Sequence, residues 1–145
     1  MRYRISCGVI PVHKDPKGTL RFLLVQGYGD FWGFPKGHKK KNETHRETAE
    51  RELLEETGIS CDRYFGNTMF TERYRINKSK GTDIIKKVLY FVGMVSETTV
   101  TMQTTELKNH GWFTLREAQK RLINNRMDML HEVIQIVETV ESHEN

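Results

Sequence analysis

The sequence predicts a mixed α/β domain, and three observations carry that prediction. Residues 2–13 alternate apolar and polar positions and, like residues 85–95, are rich in β-formers. Two capping boxes, Thr44 with Glu47 and Thr114 with Glu117, mark helix starts. Met127, Leu130, Ile134 and Val137 recur at helical spacing near the end. Strands, a helix, strands again and then helices make a mixed α/β order. A chain of 145 residues suits one domain over 1–145 with a real core.

Each element has a local cause. Ile5, Cys7, Val9 and Val12 set the period of the first strand. Asp15-Pro16-Lys17-Gly18 is a turn tetrad, with proline presetting φ, so Leu20–Gln26 reads as the antiparallel return. Gly27, Gly29 and Asp30 break that strand, and Phe31-Trp32-Gly33-Phe34-Pro35 leads into a turn at Gly37. The first helix starts near Thr44 and ends at Gly58, a residue suited to the position just past a helix. Cys61–Ile76 reads as a long strand, irregular near Gly66-Asn67. Asn77–Asp83 reads as a polar loop, Ile85–Val95 as a second long strand and His110–Phe113 as a short return. A helix opens at Thr114 and runs to about Leu122, and Arg126–Val140 is the last, its apolar stripe assigned to the core.

Composition bounds the function loosely. Charged residues make up 29% and hydrophobic ones 37%, an ordinary globular balance. The longest apolar run, Val88–Val95, is too short to span a bilayer, and the N-terminus lacks the apolar region of a signal peptide. Cys7 and Cys61 have no C-x-x-C spacing and read as free thiols of a reducing compartment, so a cytoplasmic protein is expected. A net charge of +4 points weakly to an anionic ligand. Of the lysines at 36 and 39–41, the last three read as a solvated loop, whereas Lys36, locked between Pro35 and Gly37, is aimed at something.

The chemistry concentrates in residues 37–59. At about 100° per residue, Glu52, Glu55 and Glu56 fall within an arc of roughly 100° on the first helix. Ala49 and Leu53 flank that arc and Leu54 lies farther round, which supplies apolar contacts for packing. Like charges at i,i+3 and i,i+4 cost a few tenths of a kcal/mol per pair unless compensated. Arg51 compensates in part through Glu55, and a hard cation such as Mg²⁺ or Mn²⁺ held against a polyphosphate would do the rest. A Glu-rich helix can equally be a plain solvated surface.

The spacing separates these readings. Gly37, Glu43, Arg51, Glu52, Leu53, Glu55, Glu56, Gly58 and Ile59 satisfy all nine fixed positions of G-x5-E-x7-R-E-U-x-E-E-x-G-U, where U is a bulky aliphatic. The chain therefore resembles the Nudix hydrolases, which implies a mixed β-sheet sandwiched between α-helices. Phe31-Trp32-Gly33-Phe34-Pro35-Lys36-Gly37-His38 and Cys7-Gly8-Val9-Ile10-Pro11 are similar to segments of the asymmetric diadenosine tetraphosphate hydrolase branch. So are Tyr74, fourteen residues before Val88, the strand from Lys86 to Phe91, and Glu106, six residues before Trp112. RNA pyrophosphohydrolases typically carry Gln and Gly where Lys36 and His38 stand.

The resemblance implies hydrolysis of a dinucleoside polyphosphate, diadenosine tetraphosphate giving ATP and AMP. It implies that Glu52, Glu55 and Glu56, with the Gly37 carbonyl, hold more than one Mg²⁺ or Mn²⁺ ion and the attacking water, with Glu55 favoured as base. Arg51 would orient Glu55, and Glu43 would support the loop or an outer metal. Glu106 reads either as an auxiliary metal ligand or as an ordinary exposed acid, and Lys86 as a phosphate contact or a solvated strand lysine. Lys36 and His38 would meet phosphate, the histidine alternatively shaping the loop. Tyr74 and Tyr90 could stack on a base. Trp32 and Trp112 read as structural. The expected partner is a small dinucleotide, with no membrane, no nucleic acid except an RNA 5′ end, and a monomeric or weakly dimeric state. Removal of pyrophosphate from RNA 5′ ends, or hydrolysis of another nucleoside diphosphate linked to a further group, is the enzymatic alternative, and a nucleotide-sensing Nudix domain is the non-enzymatic one.

Overall fold

In a computed structural model the first strand is the axis of the fold, and residues 2–77 and 83–144 are described. The chain runs β1 (Arg2–Lys14), β2 (Leu20–Gly27), β3 (Trp32–Gly33), β4 (Lys36–His38), α1 (His45–Thr57), β5 (Arg63–Asn77), β6 (Asp83–Met94), β7 (Leu107–Phe113), α2 (Leu115–Gln119) and α3 (Asn124–Glu144). A seven-stranded sheet has the order β3-β2-β1-β6-β5, with β4 added to β1 and β7 to β2. β1 runs parallel to β6, from Arg2 opposite Ile84 to Val12 opposite Met94, while the other pairings are antiparallel. The sheet is therefore mixed, as the resemblance implied.

Two apolar layers sandwich it. Even-numbered residues of β1 and β6 (Ile10, Val12, Val88, Tyr90) meet Leu130, Val133 and Val137 of α3 on one face. Odd-numbered ones (Cys7, Val9, Leu89, Phe91) meet Ala49 and Leu53 of α1 on the other. Cover on both sides explains why Ser6–Val12 is buried without a break, since alternation only shows where one face is wet. The chain has no helix among the described residues long and apolar enough to cross a membrane.

Several expectations are corrected. The glycine at 37 does not turn: Lys36–His38 pairs with Ser6–Gly8 as a short strand. Leu54 is 54% exposed, because Ala49 and Leu53 already fill the narrow contact under α1. The core face of α3 is Met129, Leu130, Val133 and Val137, with Met127 and Ile134 only partly buried, so the stripe is rotated from the predicted one. α2 stops at Gln119. The irregularity near Gly66 is present, with Gly66 at φ 61° and a register shift between Tyr64 and Met69. Of the polar loop expected over Asn77–Asp83, residues 78–82 lie outside the described residues.

Candidate active site

α1 is fixed at both ends before its acidic face is considered. The Thr44 side chain accepts from the Glu47 N–H while the Glu47 carboxylate accepts from the Thr44 N–H, at 3.1 and 2.8 Å. At the other end Gly58 adopts φ 73°, the left-handed conformation that stops a helix, and its N–H closes on the Leu54 carbonyl. The carbonyls of Glu56 and Thr57 accept from Gln103 and Thr101 at 2.9 Å each. That docking carries Glu106, which precedes β7, to the neighbourhood of Glu56.

Arg51 is the hub behind the acidic face. Its Nε donates to Glu43 Oε2 at 2.6 Å and its Nη2 to Glu43 Oε1 and the His38 carbonyl, both at 3.0 Å. Nη1 reaches Glu52 Oε1 at 2.9 Å and Glu55 Oε2 at 3.2 Å. Glu43 also accepts from Thr48 Oγ1 and the Lys40 N–H. The Arg51 fork, above all, pulls the Glu43 carboxyl down to about 2, and the same bond raises the Arg51 guanidinium. The expected Arg51–Glu55 contact is present, and Glu43 supports the loop entering the helix. The contribution of His38 here is its carbonyl, not its ring.

Glu52 and Glu56 form the inner pair. A Cβ placed on Gly37 would overlap the Glu52 carboxylate, so the glycine is required by close approach and not by φ. Gly8, opposite Lys36, has a similar cause, because a Cβ there would overlap the Pro35 carbonyl. Glu56 is 5% exposed. Burial first, then the Glu52 charge, pushes its carboxyl up to about 8, against the pull of the Lys36 N–H and ammonium. Glu106 adds a further negative charge.

A cleft of about 260 Å³ opens beside this pair, with Lys36, Glu56, Glu106 and Arg126 among its walls. Burial, then Lys86 and Arg126, lowers the Lys36 ammonium pKa. Lys86 lies on the same sheet face, its Nζ 5.8 Å from the ring centre of its cross-strand neighbour Tyr74. Tyr74 is 38% exposed, whereas Tyr90 is fully buried and packs edge-on against Phe34. Stacking of Tyr90 on a base is thereby corrected: the even-numbered positions at the centre of β6 face the layer under α3, and neither ring face is open.

The hard oxygens of Glu52, Glu55, Glu56 and the Gly37 carbonyl suit Mg²⁺ or Mn²⁺. The overlap of a Gly37 Cβ with Glu52, and the raised carboxyl of buried Glu56 beside it, fit a divalent cation at that point. Among the described residues no three carboxylates, histidines or cysteines are drawn into metal-holding geometry. Mutual repulsion and the pull of Arg51 on Glu52 and Glu55 account for this.

Sequence reasoning missed Glu72 and Arg126. Glu72, on β5, is 4% exposed and receives Arg126 Nε at 3.1 Å and Asn125 Nδ2 at 3.1 Å. No spacing signal links positions 54 residues apart, and only the packing of α3 on β5 brings them together.

Comparison with known proteins agrees with this arrangement. The NUDIX domain model matches residues 2–133. The RNA pyrophosphohydrolase of Hydrogenovibrio crunogenus is 29% identical over 94% of this chain and 89% of its own length. The asymmetrical bis(5′-nucleosyl)-tetraphosphatase of Mus musculus is 32% identical over 78% of this chain and 80% of its own. A crystal structure of a C. elegans Ap4A hydrolase binary complex shares the fold, with a TM-score of 0.73 at 23% identity, covering 97% of this chain and 98% of that one. The chain belongs to the NUDIX family of hydrolases.

Proposed function

We propose that this protein hydrolyses dinucleoside polyphosphates, cleaving diadenosine tetraphosphate with water to ATP and AMP. The observation that carries the reading is the join between two segments: the acidic pair Glu52 and Glu56 lies against the strand holding Lys36, Gly37 and His38. The similarity to the mouse tetraphosphatase over four-fifths of that enzyme supports the same substrate class.

Glu52, Glu56 and the Gly37 carbonyl would hold Mg²⁺ or Mn²⁺, with Glu55 completing the set and Glu106 facing it across the cleft. Such ions, when bound, neutralise phosphate charge and acidify the attacking water. Glu55, half exposed and oriented by Arg51, takes the proton of that water. The water oxygen bonds to one phosphorus, the bridging P–O bond on the far side breaks, and the displaced nucleotide leaves with its electrons on a phosphate oxygen. Lys36 and Lys86 stabilise the charge that grows on the phosphate oxygens, and exposed Tyr74 stacks on a nucleobase. All of these roles fall to residues of the single domain proposed over 1–145.

A panel of dinucleoside polyphosphates, nucleotide sugars and nucleoside triphosphates, with Mg²⁺ or Mn²⁺ and chromatography of products, tests this. ATP and AMP in equal amounts are expected. Survival of the dinucleotide while other compounds are consumed would sink the reading. A second reading, pyrophosphate removal from RNA 5′ ends, is favoured by one observation, the near full-length similarity to the Hydrogenovibrio enzyme. Rates on 5′-triphosphate RNA and on the dinucleotide, compared at equal enzyme, decide between them. A sensing domain without turnover would give no product from any member of the panel.

A further inference from the structure

Arg126 is anchored in a way that packing alone does not require. It stands in the first turn of α3, yet its guanidinium spans two strands. Nε and Nη2 grip the two oxygens of Glu72 on β5 at 3.1 and 3.4 Å, and Nη1 donates to the Trp32 carbonyl on β3 at 2.9 Å. A guanidinium has five N–H donors. Three are used, so one on each terminal nitrogen is left over, and the residue lines the cleft shared by Lys36, Glu56 and Glu106.

The charges around it are mixed. Glu72 neutralises Arg126, but Lys36 feels Lys86 and Arg126 as like charges at once. Lys36 and Arg126 share the wall of that cleft with Glu56 and Glu106, and Lys86 acts on Lys36 as a further like charge. A rigid fork with two spare N–H groups recognises phosphate oxygens better than a flexible ammonium does.

We infer that Arg126, held in place by Glu72 and the Trp32 carbonyl, binds a phosphate of the substrate within the cleft and sets which polyphosphates are accepted. The inference rests on the proposed phosphohydrolase site but not on the dinucleotide being the substrate. It makes Arg126 a substrate-binding residue contributed by α3.

The test separates binding from folding and from turnover. Calorimetric titration with inorganic tripolyphosphate, without divalent metal, is run on the wild type, Arg126→Ala, Arg126→Lys and Asn125→Ala. The last breaks the neighbouring bond to Glu72 and loosens the start of α3 without entering the cleft. Arg126→Ala is expected to weaken tripolyphosphate binding at least tenfold, with Arg126→Lys recovering part and Asn125→Ala little changed. With the preferred substrate of the panel above, Arg126→Ala raises KM more than it lowers kcat. Three results overturn the inference: no tripolyphosphate binding by the wild type, unchanged binding by Arg126→Ala, or an equal loss in Asn125→Ala that tracks thermal stability. If the dinucleotide is not hydrolysed while Arg126→Ala still loses tripolyphosphate, only the substrate reading fails.

Discussion

Replacing Glu56 by glutamine should abolish turnover and stabilise the fold, and the gain should grow with pH. The carboxyl is buried beside Glu52 and pushed up to about 8 from 4.5. Because the folded-state value is the higher one, the folded protein holds a proton that the unfolded chain releases between those two pH values. Stability therefore falls as pH rises from 4.5 through about 8 and levels off above it. The gap corresponds to about 5 kcal/mol at high pH, of which about 1 kcal/mol is felt at pH 5 and about 4 at pH 8. Glutamine has the same shape and does not ionise, so urea unfolding in EDTA should show Glu56→Gln gaining about these amounts at pH 5 and pH 8. Turnover should fall by about 100-fold or more. A gain that is the same at both pH values, or a loss at either, would refute the reasoning.

Gly37→Ala and Gly8→Ala should fail differently, as unfolding and activity measured side by side would reveal. The first meets the movable end of Glu52, so stability changes by less than about 1 kcal/mol while activity falls at least tenfold. The second meets the Pro35 backbone, and about 2 kcal/mol or more of stability is lost. Arg51→Lys keeps the charge but cannot fork across Glu43, Glu52 and Glu55, and steady-state kinetics should show kcat reduced more than KM is raised. The Tyr90 hydroxyl is buried without a hydrogen-bond partner among the described residues, so Tyr90→Phe should raise stability by about 1 kcal/mol and leave the rate unchanged. Tyr74→Ala should instead raise KM by about five- to tenfold, as loss of a stacking face would.

Much of the scaffold was legible because its causes are local. Both capping boxes form, Gly58 ends α1, and the bulge sits at Gly66. The carboxylate arc was legible because helical angle depends on spacing alone. What failed depends on other parts of the chain. The strand at Lys36–His38 exists because β1 extends far enough to pair with it, and nothing within those three residues predicts a strand. Leu54 is exposed because the sheet under α1 accepts only Ala49 and Leu53. Tyr74 and Tyr90 both look like strand aromatics, and only their positions along β5 and β6 leave one at the surface and the other in the core. Glu72 and Arg126 were illegible for the same reason, since their meaning lies in a tertiary contact.

The acidic helix is held in a manner suited to an unpaired front. Its apolar face is narrow, yet each end is capped, Arg51 ties its back to Glu43 and the His38 carbonyl, and the segment at 101–103 takes up its last carbonyls. Of these anchors Arg51 alone touches a carboxylate of the Glu52–Glu56 pair, at Glu52 Oε1. Glu56 can therefore keep its raised carboxyl without unravelling the helix, and a proton or a cation would relieve its repulsion with Glu52. A proton on Glu56 blocks an oxygen that a cation needs, so the two compete. Cation affinity should then weaken about tenfold for each pH unit below about 8, with close to one proton released per binding event at pH 7. Titration of Mg²⁺ in two buffers of different ionisation enthalpy measures that proton directly. A proton count near zero at pH 7 would place the compensating charge on the protein, with Lys36 the nearest candidate, and not on the ligand.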